Sequence, residues 1–139
     1  MDTQADTLAL TFERTLAHPV EKVWRALTQG PLLEDWLMRN DFEPVVGRAF
    51  SFRAEPMPQW DGVVHCEVLE CEPMSRLAYS WSSMGLNSVV TWTLTPVEGG
   101  ARLVMEQSGF PNTGGFYQGA QYGWQKMLGD LEQVLARLG

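Results

Sequence analysis

Residues able to do acid–base, nucleophilic or metal chemistry are few in this chain, and their spacing forms no recognised set. There are two histidines, His18 and His65, and two cysteines, Cys66 and Cys71. His65, Cys66 and Cys71 lack the paired spacing of a structural zinc site, and no second ligand pair stands elsewhere. A nucleophilic Ser/Cys–His–Asp set would have to use His65, and no motif surrounds it. His18 precedes a helix-opening proline and reads as exposed. His65 falls on a predicted strand, where it either faces solvent or lines a cavity as a hydrogen-bond donor or weak base. Glu67, Glu70 and Glu106 offer candidates for a general base. They read as a solvated strand face, opposite the apolar residues. No catalytic residue, metal or cofactor is assigned.

The chemistry the chain does carry is aromatic. It holds six tryptophans and six phenylalanines in 139 residues. Trp36, Trp60, Trp81, Trp92 and Trp124 recur from one predicted element to the next. Aromatic side chains bury a large area each, and they fill cores as readily as they wall small-molecule cavities. Trp36, Phe52, Trp60, His65, Trp81, Trp92, Met105, Phe116 and Trp124 are the candidate ligand-binding residues. Met57 and Met84 are flexible enough to adapt to a ligand's outline.

The elements that must position these residues follow from periodicity. Thr7–Thr15 alternates as a strand, with Leu8, Leu10 and Phe12 on one face. Val20, Val23, Trp24 and Leu27 then recur at helical spacing behind Pro19. Gly30-Pro31 breaks that helix and opens a shorter one carrying Leu32, Leu33, Trp36 and Leu37. From Asp41 the pattern is β: a short strand beginning at Phe42, then Arg48–Ala54, Val63–Cys71, Arg76–Ser83, Asn87–Pro96 and Ala101–Gln107. Apolar residues fall on both faces of Val63–Cys71, so its inward side stays open. The odd spacing of Cys66 and Cys71 places them on opposite faces of a regular strand. Gly109-Phe110-Pro111 reads as the start of a linker into a long helix, Gly115–Leu138. Gly119 and Gly123 in that helix either leave room for a ligand or let the helix lie close on the sheet. The order β-α-α-β6-α gives an α+β fold in which only the last helix can cover the sheet. A twisted sheet around one helix leaves a gap unless large side chains fill it.

The totals set outer bounds. One domain spans 1–139, long enough to build a core without staples. Seventeen acidic residues against ten basic give a net charge of -7, which disfavours nucleic acid and anionic membranes as partners. Met1–Asp6 has neither the basic nor the apolar region of a secretory signal, and no apolar run reaches bilayer length. Cytoplasmic location with reduced thiols is the expectation.

Several motifs resemble one known family. His18-Pro19-Val20-Glu21-Lys22-Val23-Trp24-Arg25-Ala26-Leu27-Thr28, followed by Leu33-Glu34-Asp35-Trp36, is similar to the opening of the SRPBCC (START-like, helix-grip) superfamily. The branch resembling the activator of the heat-shock-chaperone ATPase fits best. Val68-Leu69-Glu70-Cys71-Glu72-Pro73 with Arg76–Trp81, Val90–Leu94 with Gly100–Leu103, and Gly123-Trp124 with Leu128, Leu131 and Leu135 carry the resemblance to the C-terminus. The chain departs from several relatives at Cys66, where they carry glycine, so sheet curvature or cavity shape can differ there.

The resemblance implies a helix-grip fold, with a curved antiparallel sheet around the C-terminal helix and a deep cavity between them. It also implies binding of a hydrophobic, aromatic small molecule. The alternatives it carries are a polyketide cyclase or hydratase using His65 or Glu67, and a protein-interaction, co-chaperone-like module. Relatives that stimulate the chaperone also need a separate N-terminal domain, for which 139 residues leave no room. The expected partner is a small molecule bound by a monomer or homodimer. The expected mouth segments are Glu55–Asp61 and Gly109–Gly115, the least regular parts of the chain.

Overall fold

The computed structural model describes residues 7–58, 60–111 and 115–138, without the side chains of Thr7 and Phe116. Strand β1 (Thr7–Leu16) leads into helices α1 (Val20–Thr28) and α2 (Gly30–Trp36). Strands β2 (Arg39–Asn40), β3 (Ala49–Arg53), β4 (Val63–Glu72), β5 (Arg76–Ser83), β6 (Leu86–Val97) and β7 (Gly100–Pro111) follow, and α3 (Phe116–Leu138) ends the chain. The seven strands form one antiparallel, curved sheet in the order β1-β7-β6-β5-β4-β3-β2. This is the expected α+β helix-grip fold, with all three helices on the sheet's inner face.

Alternation along each strand builds that inner face. Leu77, Tyr79 and Trp81 of β5, Val90, Trp92 and Leu94 of β6, and Leu103 and Met105 of β7 are all buried. Phe50 and Phe52 of β3 continue the row. Their rings meet mostly edge-on: Phe42 lies 5.0 Å from Phe50, and Phe50 lies 5.3 Å from Phe52. Such arrangements favour aromatic pairs beyond the area they bury.

Two boundaries differ from expectation, each for a local reason. The short strand at the sheet edge is Arg39–Asn40, ending two residues before Phe42. Asn40 Oδ1 accepts the Phe42 N–H, and Asp41 Oδ1 accepts the Ser51 N–H, so side chains replace the backbone ladder there. At the other end β7 runs on through Gly109-Phe110-Pro111 and pairs with Thr7 and Leu8, where a linker was expected. Glycine and proline read as punctuation, but an outer pairing with β1 holds them in the sheet. Gly109 has φ +103°, and a Cβ there would stand 2.9 Å from the Asn87 carbonyl oxygen.

A one-residue bulge in β4, between Val68 and Glu70, decides its faces. Val64, Cys66 and Val68 point inward before it. After it, Cys71 pairs with the inward-facing Leu77 and packs on the core. A bulge shifts the side-chain alternation by one residue. Cys66 and Cys71 therefore share the inner side, against the opposite faces that regular spacing gives, and both thiols are free. Cys66 sits opposite Phe50, upstream of the bulge.

Replacing Gly109 by alanine combines a left-handed backbone with a close contact. The Gly109→Ala variant is expected to lose ~1–3 kcal/mol of stability in urea unfolding; an unchanged midpoint would contradict this backbone geometry and close contact.

Candidate functional site

The helices fill the two ends of the grip unequally. At one end α1 and α2 pack against the C-terminal half of α3, joining Leu27, Leu33 and Trp36 to Leu128, Leu131, Val134 and Leu135 in one core. The Trp36 indole N–H donates to the Ala26 carbonyl at 2.9 Å, and its ring meets Trp92 edge-on at 5.7 Å. At the other end only the N-terminal half of α3 crosses the sheet. There the helix presents Gly119, Ala120 and Gly123 inward, and a cavity of about 550 Å³ opens beneath them.

Trp81 and Trp124, with ring centroids 5.4 Å apart, form its aromatic floor. Trp60 closes one side, its indole N–H donating to Ser83 Oγ at 2.8 Å. Met38, Met84 and Met127, with Val64 and Leu86, line the rest of the wall. Met84, with φ 54°, is held in the left-handed region at the β5–β6 turn and stays more than half exposed at the mouth. A smaller apolar recess shared by Trp60 and Met84 continues outward over Met57 and Pro58. A Cβ built on Gly119 meets nothing within 4 Å, and one on Gly123 meets only Met127 Cε at 3.9 Å. Of the two roles open to these glycines, the geometry matches room beside the helix rather than close approach to the sheet.

Among the described residues, one polar side chain reaches the floor. Gln107, on the inner face of β7, is buried, and its Oε1 accepts the Trp124 indole N–H at 2.7 Å. Its Nε2 donates to Ser88 Oγ at 2.9 Å, and Ser88 in turn donates to the Trp81 carbonyl. An indole nitrogen only donates, so Trp124 fixes which end of the Gln107 amide faces it. The relay ties α3 to three neighbouring strands through buried groups that would be costly to leave unpaired.

The candidate residues thus separate. Trp60, Trp81 and Trp124 come together at the cavity wall. Trp36, Phe52, Trp92 and Met105 lie behind it as solid core, each at most 2% exposed. Trp92 donates to the Tyr79 hydroxyl at 2.9 Å, which anchors it within the core. The side chain of Phe116 lies outside the described residues. His65 is exposed on the outer face of β4, between Ser51 and Ser82, because the inward parity there belongs to Val64 and Cys66. It is corrected from a cavity residue to a surface one.

Glu67, Glu70 and Glu106 are likewise exposed, and Glu70 pairs with Arg76 at 3.1 Å. Of the expected mouth segments, Trp60 and Gly115 border the cavity, while 112–114 lie outside the described residues. Sequence reasoning missed Gln107. Its signal is a glutamine on the same strand parity as Leu103 and Met105, where the pattern calls for an apolar residue.

Among the described residues lining the cavity, none has a titratable side chain. Among the described residues, no three His, Cys, Asp or Glu gather as a metal site, and no helix is long and apolar enough to cross a membrane. The nearest buried ionisable groups are structural. Burial, with a smaller contribution from the Asp41 charge, pushes the Cys66 thiol up to about 12. Burial likewise raises the Tyr79 phenol, although the Trp92 hydrogen bond works in the other direction.

The profile of the family described as Activator of Hsp90 ATPase homolog 1-like protein matches residues 17–136. The chain belongs to this family. Its fold is that of the SRPBCC, polyketide-cyclase-like structures, as the opening and closing motifs indicated. Protein MLL2253 from Mesorhizobium loti is 46% identical with a TM-score of 0.89, the match covering 95% of this chain and 99% of that one. DynU16, a protein in the dynemicin biosynthetic locus, is 25% identical with a TM-score of 0.77, over 94% of this chain and 47% of that one. CV1439 from Chromobacterium violaceum is 26% identical with a TM-score of 0.77, over 91% and 96%. No curated protein matches by sequence.

Two outcomes follow from this geometry. Cys66 keeps its proton in the folded state between its ordinary 9.0 and about 12, whereas the unfolded thiol loses it. The folded state is therefore destabilised as pH rises through that window, by up to ~1.4 kcal/mol per pH unit. Urea midpoints measured from pH 8 to 11 should fall above 9, and less steeply in Cys66→Ala. Separately, Gly119→Ala exchanges a poor helix former for the best one in open space. It should gain up to ~1 kcal/mol; a loss would mean that the helix lies closer to the sheet than described.

Proposed function

We propose that this protein binds a hydrophobic, aromatic small molecule in the cavity between the sheet and the N-terminal half of α3. The observation that carries this reading is the composition of the cavity wall. Three tryptophans and three methionines surround about 550 Å³ beneath a helix face that glycine leaves bare. That volume lies in the range of small-molecule sites, which are mostly apolar with few polar groups. Aromatic walls favour a planar ligand by stacking, and the thioethers adapt to its edge. DynU16, of the same fold, belongs to a biosynthetic locus, which fits small-molecule chemistry for this architecture.

The cyclase or hydratase alternative needs an acid or base aimed at the substrate. His65 and Glu67 face away from the cavity, and no titratable side chain lines it among the described residues. The geometry therefore favours binding over turnover.

Intrinsic fluorescence tests the reading, because two of the cavity tryptophans form its floor. Titration with planar polycyclic probes should give saturable quenching. A Gly119→Phe variant, whose new ring has open space ahead of it, should keep the far-ultraviolet circular dichroism and lose at least tenfold in affinity. Quenching that is equal in the two proteins would place any binding elsewhere.

A further inference from the structure

The cavity floor carries more information than its hydrophobicity, because its buried side-chain amide has a fixed orientation. Trp124 takes one lone pair of Gln107 Oε1 at 2.7 Å, and Ser88 takes one hydrogen of Nε2 at 2.9 Å. Ser88 spends its own proton on the Trp81 carbonyl at 2.9 Å, so it must accept from Gln107 and cannot donate to it. A carboxamide has two N–H groups and two acceptor lone pairs. Among the described residues, nothing else takes the second N–H or the second lone pair of Gln107, at the floor it lines. Ser83, the other polar side chain of the wall among the described residues, stands at the rim and accepts from Trp60.

We infer that Gln107 is the specificity-determining residue of this site. It selects an uncharged ligand whose keto or hydroxyl oxygen takes the unspent amide hydrogen, while the apolar body lies between Trp81, Trp124 and the bare face of α3. This rests on the binding reading above and adds the ligand's charge and its anchoring atom. Three observations converge. The amide is oriented by neighbours that cannot reverse their roles. The lining offers no cation to a carboxylate and no anion to an ammonium among the described residues, and an unpaired charge is costly to desolvate. The chain's net charge of -7 further opposes an anionic ligand.

The test compares three probes of one skeleton by tryptophan quenching: fluorenone, fluorene and fluorene carboxylate. The native protein should bind fluorenone about five- to tenfold more tightly than fluorene, the scale of one added hydrogen bond. The carboxylate should bind more weakly than either. In Gln107→Leu the advantage of fluorenone should disappear while fluorene affinity is held. Because that change strands the Trp124 and Ser88 partners, the Gln107→Leu/Trp124→Phe double variant supplies the same comparison with the indole donor removed. The native comparison needs no variant to fold. Equal binding of fluorene and fluorenone, or tightest binding of the carboxylate, would overturn this inference and leave the apolar site standing. Failure of all three probes to quench saturably would instead remove the binding reading on which it rests.

Discussion

A buried indole N–H must find an acceptor, and in this protein the acceptor that Trp124 finds ties the long helix to the sheet beneath it. Trp124 projects from α3 into the core and donates to Gln107 on β7, which donates to Ser88 on β6, which donates to the carbonyl of Trp81 on β5. Each group is buried, so breaking any link strands a polar atom without water. The helix can neither sink onto the strands nor lift away without losing the chain of donors. The space beneath its N-terminal half is thus bordered by a polar relay as well as by the apolar contacts that pack the helix on the sheet.

The rest of the architecture reads as a consequence of that spacing applied unequally along the helix. Toward the C-terminus, α1 and α2 fill the interval with leucines and Trp36, and the Asp35–Arg137 ion pair at 3.7 Å spans the helices at the surface. Exposed pairs of that kind contribute little; the apolar contacts make that end solid. Toward the N-terminus no helix intervenes, and α3 itself supplies hydrogen atoms in place of side chains at Gly119 and Gly123. These residues weaken the helix, and nothing of the sheet presses on them to require their smallness. The stability forgone there and the left-handed Met84 at the mouth are local costs beside this void, while the left-handed Met74 lies away from it. Strained and suboptimal positions gather at functional sites for this reason.

The aromatic residues divide according to which end of the grip they occupy. Trp92 and Trp36 meet edge-on in the filled end, while Trp81 and Trp124 meet tilted where the filling stops. The same residue type serves as core or as wall, a few ångströms apart, and only the neighbouring helices make the difference. The acidic and histidine side chains that could support proton transfer belong to the outer parity of the strands. Solvent, not the cavity, is their environment.

By itself the sequence determined the order of elements, the inward rows Leu77-Tyr79-Trp81 and Val90-Trp92-Leu94, the two short helices before the sheet and the long helix after it. These follow from periodicities that survive in one dimension, since each strand or helix imposes its repeat on adjacent residues. Its motifs also carried the superfamily, because the residues that pack α1, α2 and α3 are specific to that packing. Tertiary structure alone decided the rest. The β4 bulge reversed the parity of Cys71, since an extra residue in one strand is defined only by its partner. Outer pairing with β1 turned a glycine–proline linker into strand. Which tryptophans are wall and which are core depended on where the first two helices end beneath the third. The role of Gln107 depended on Trp124 arriving opposite it from 17 residues away. A polar residue at an inward position announces that something must satisfy it, but only the fold names the partner.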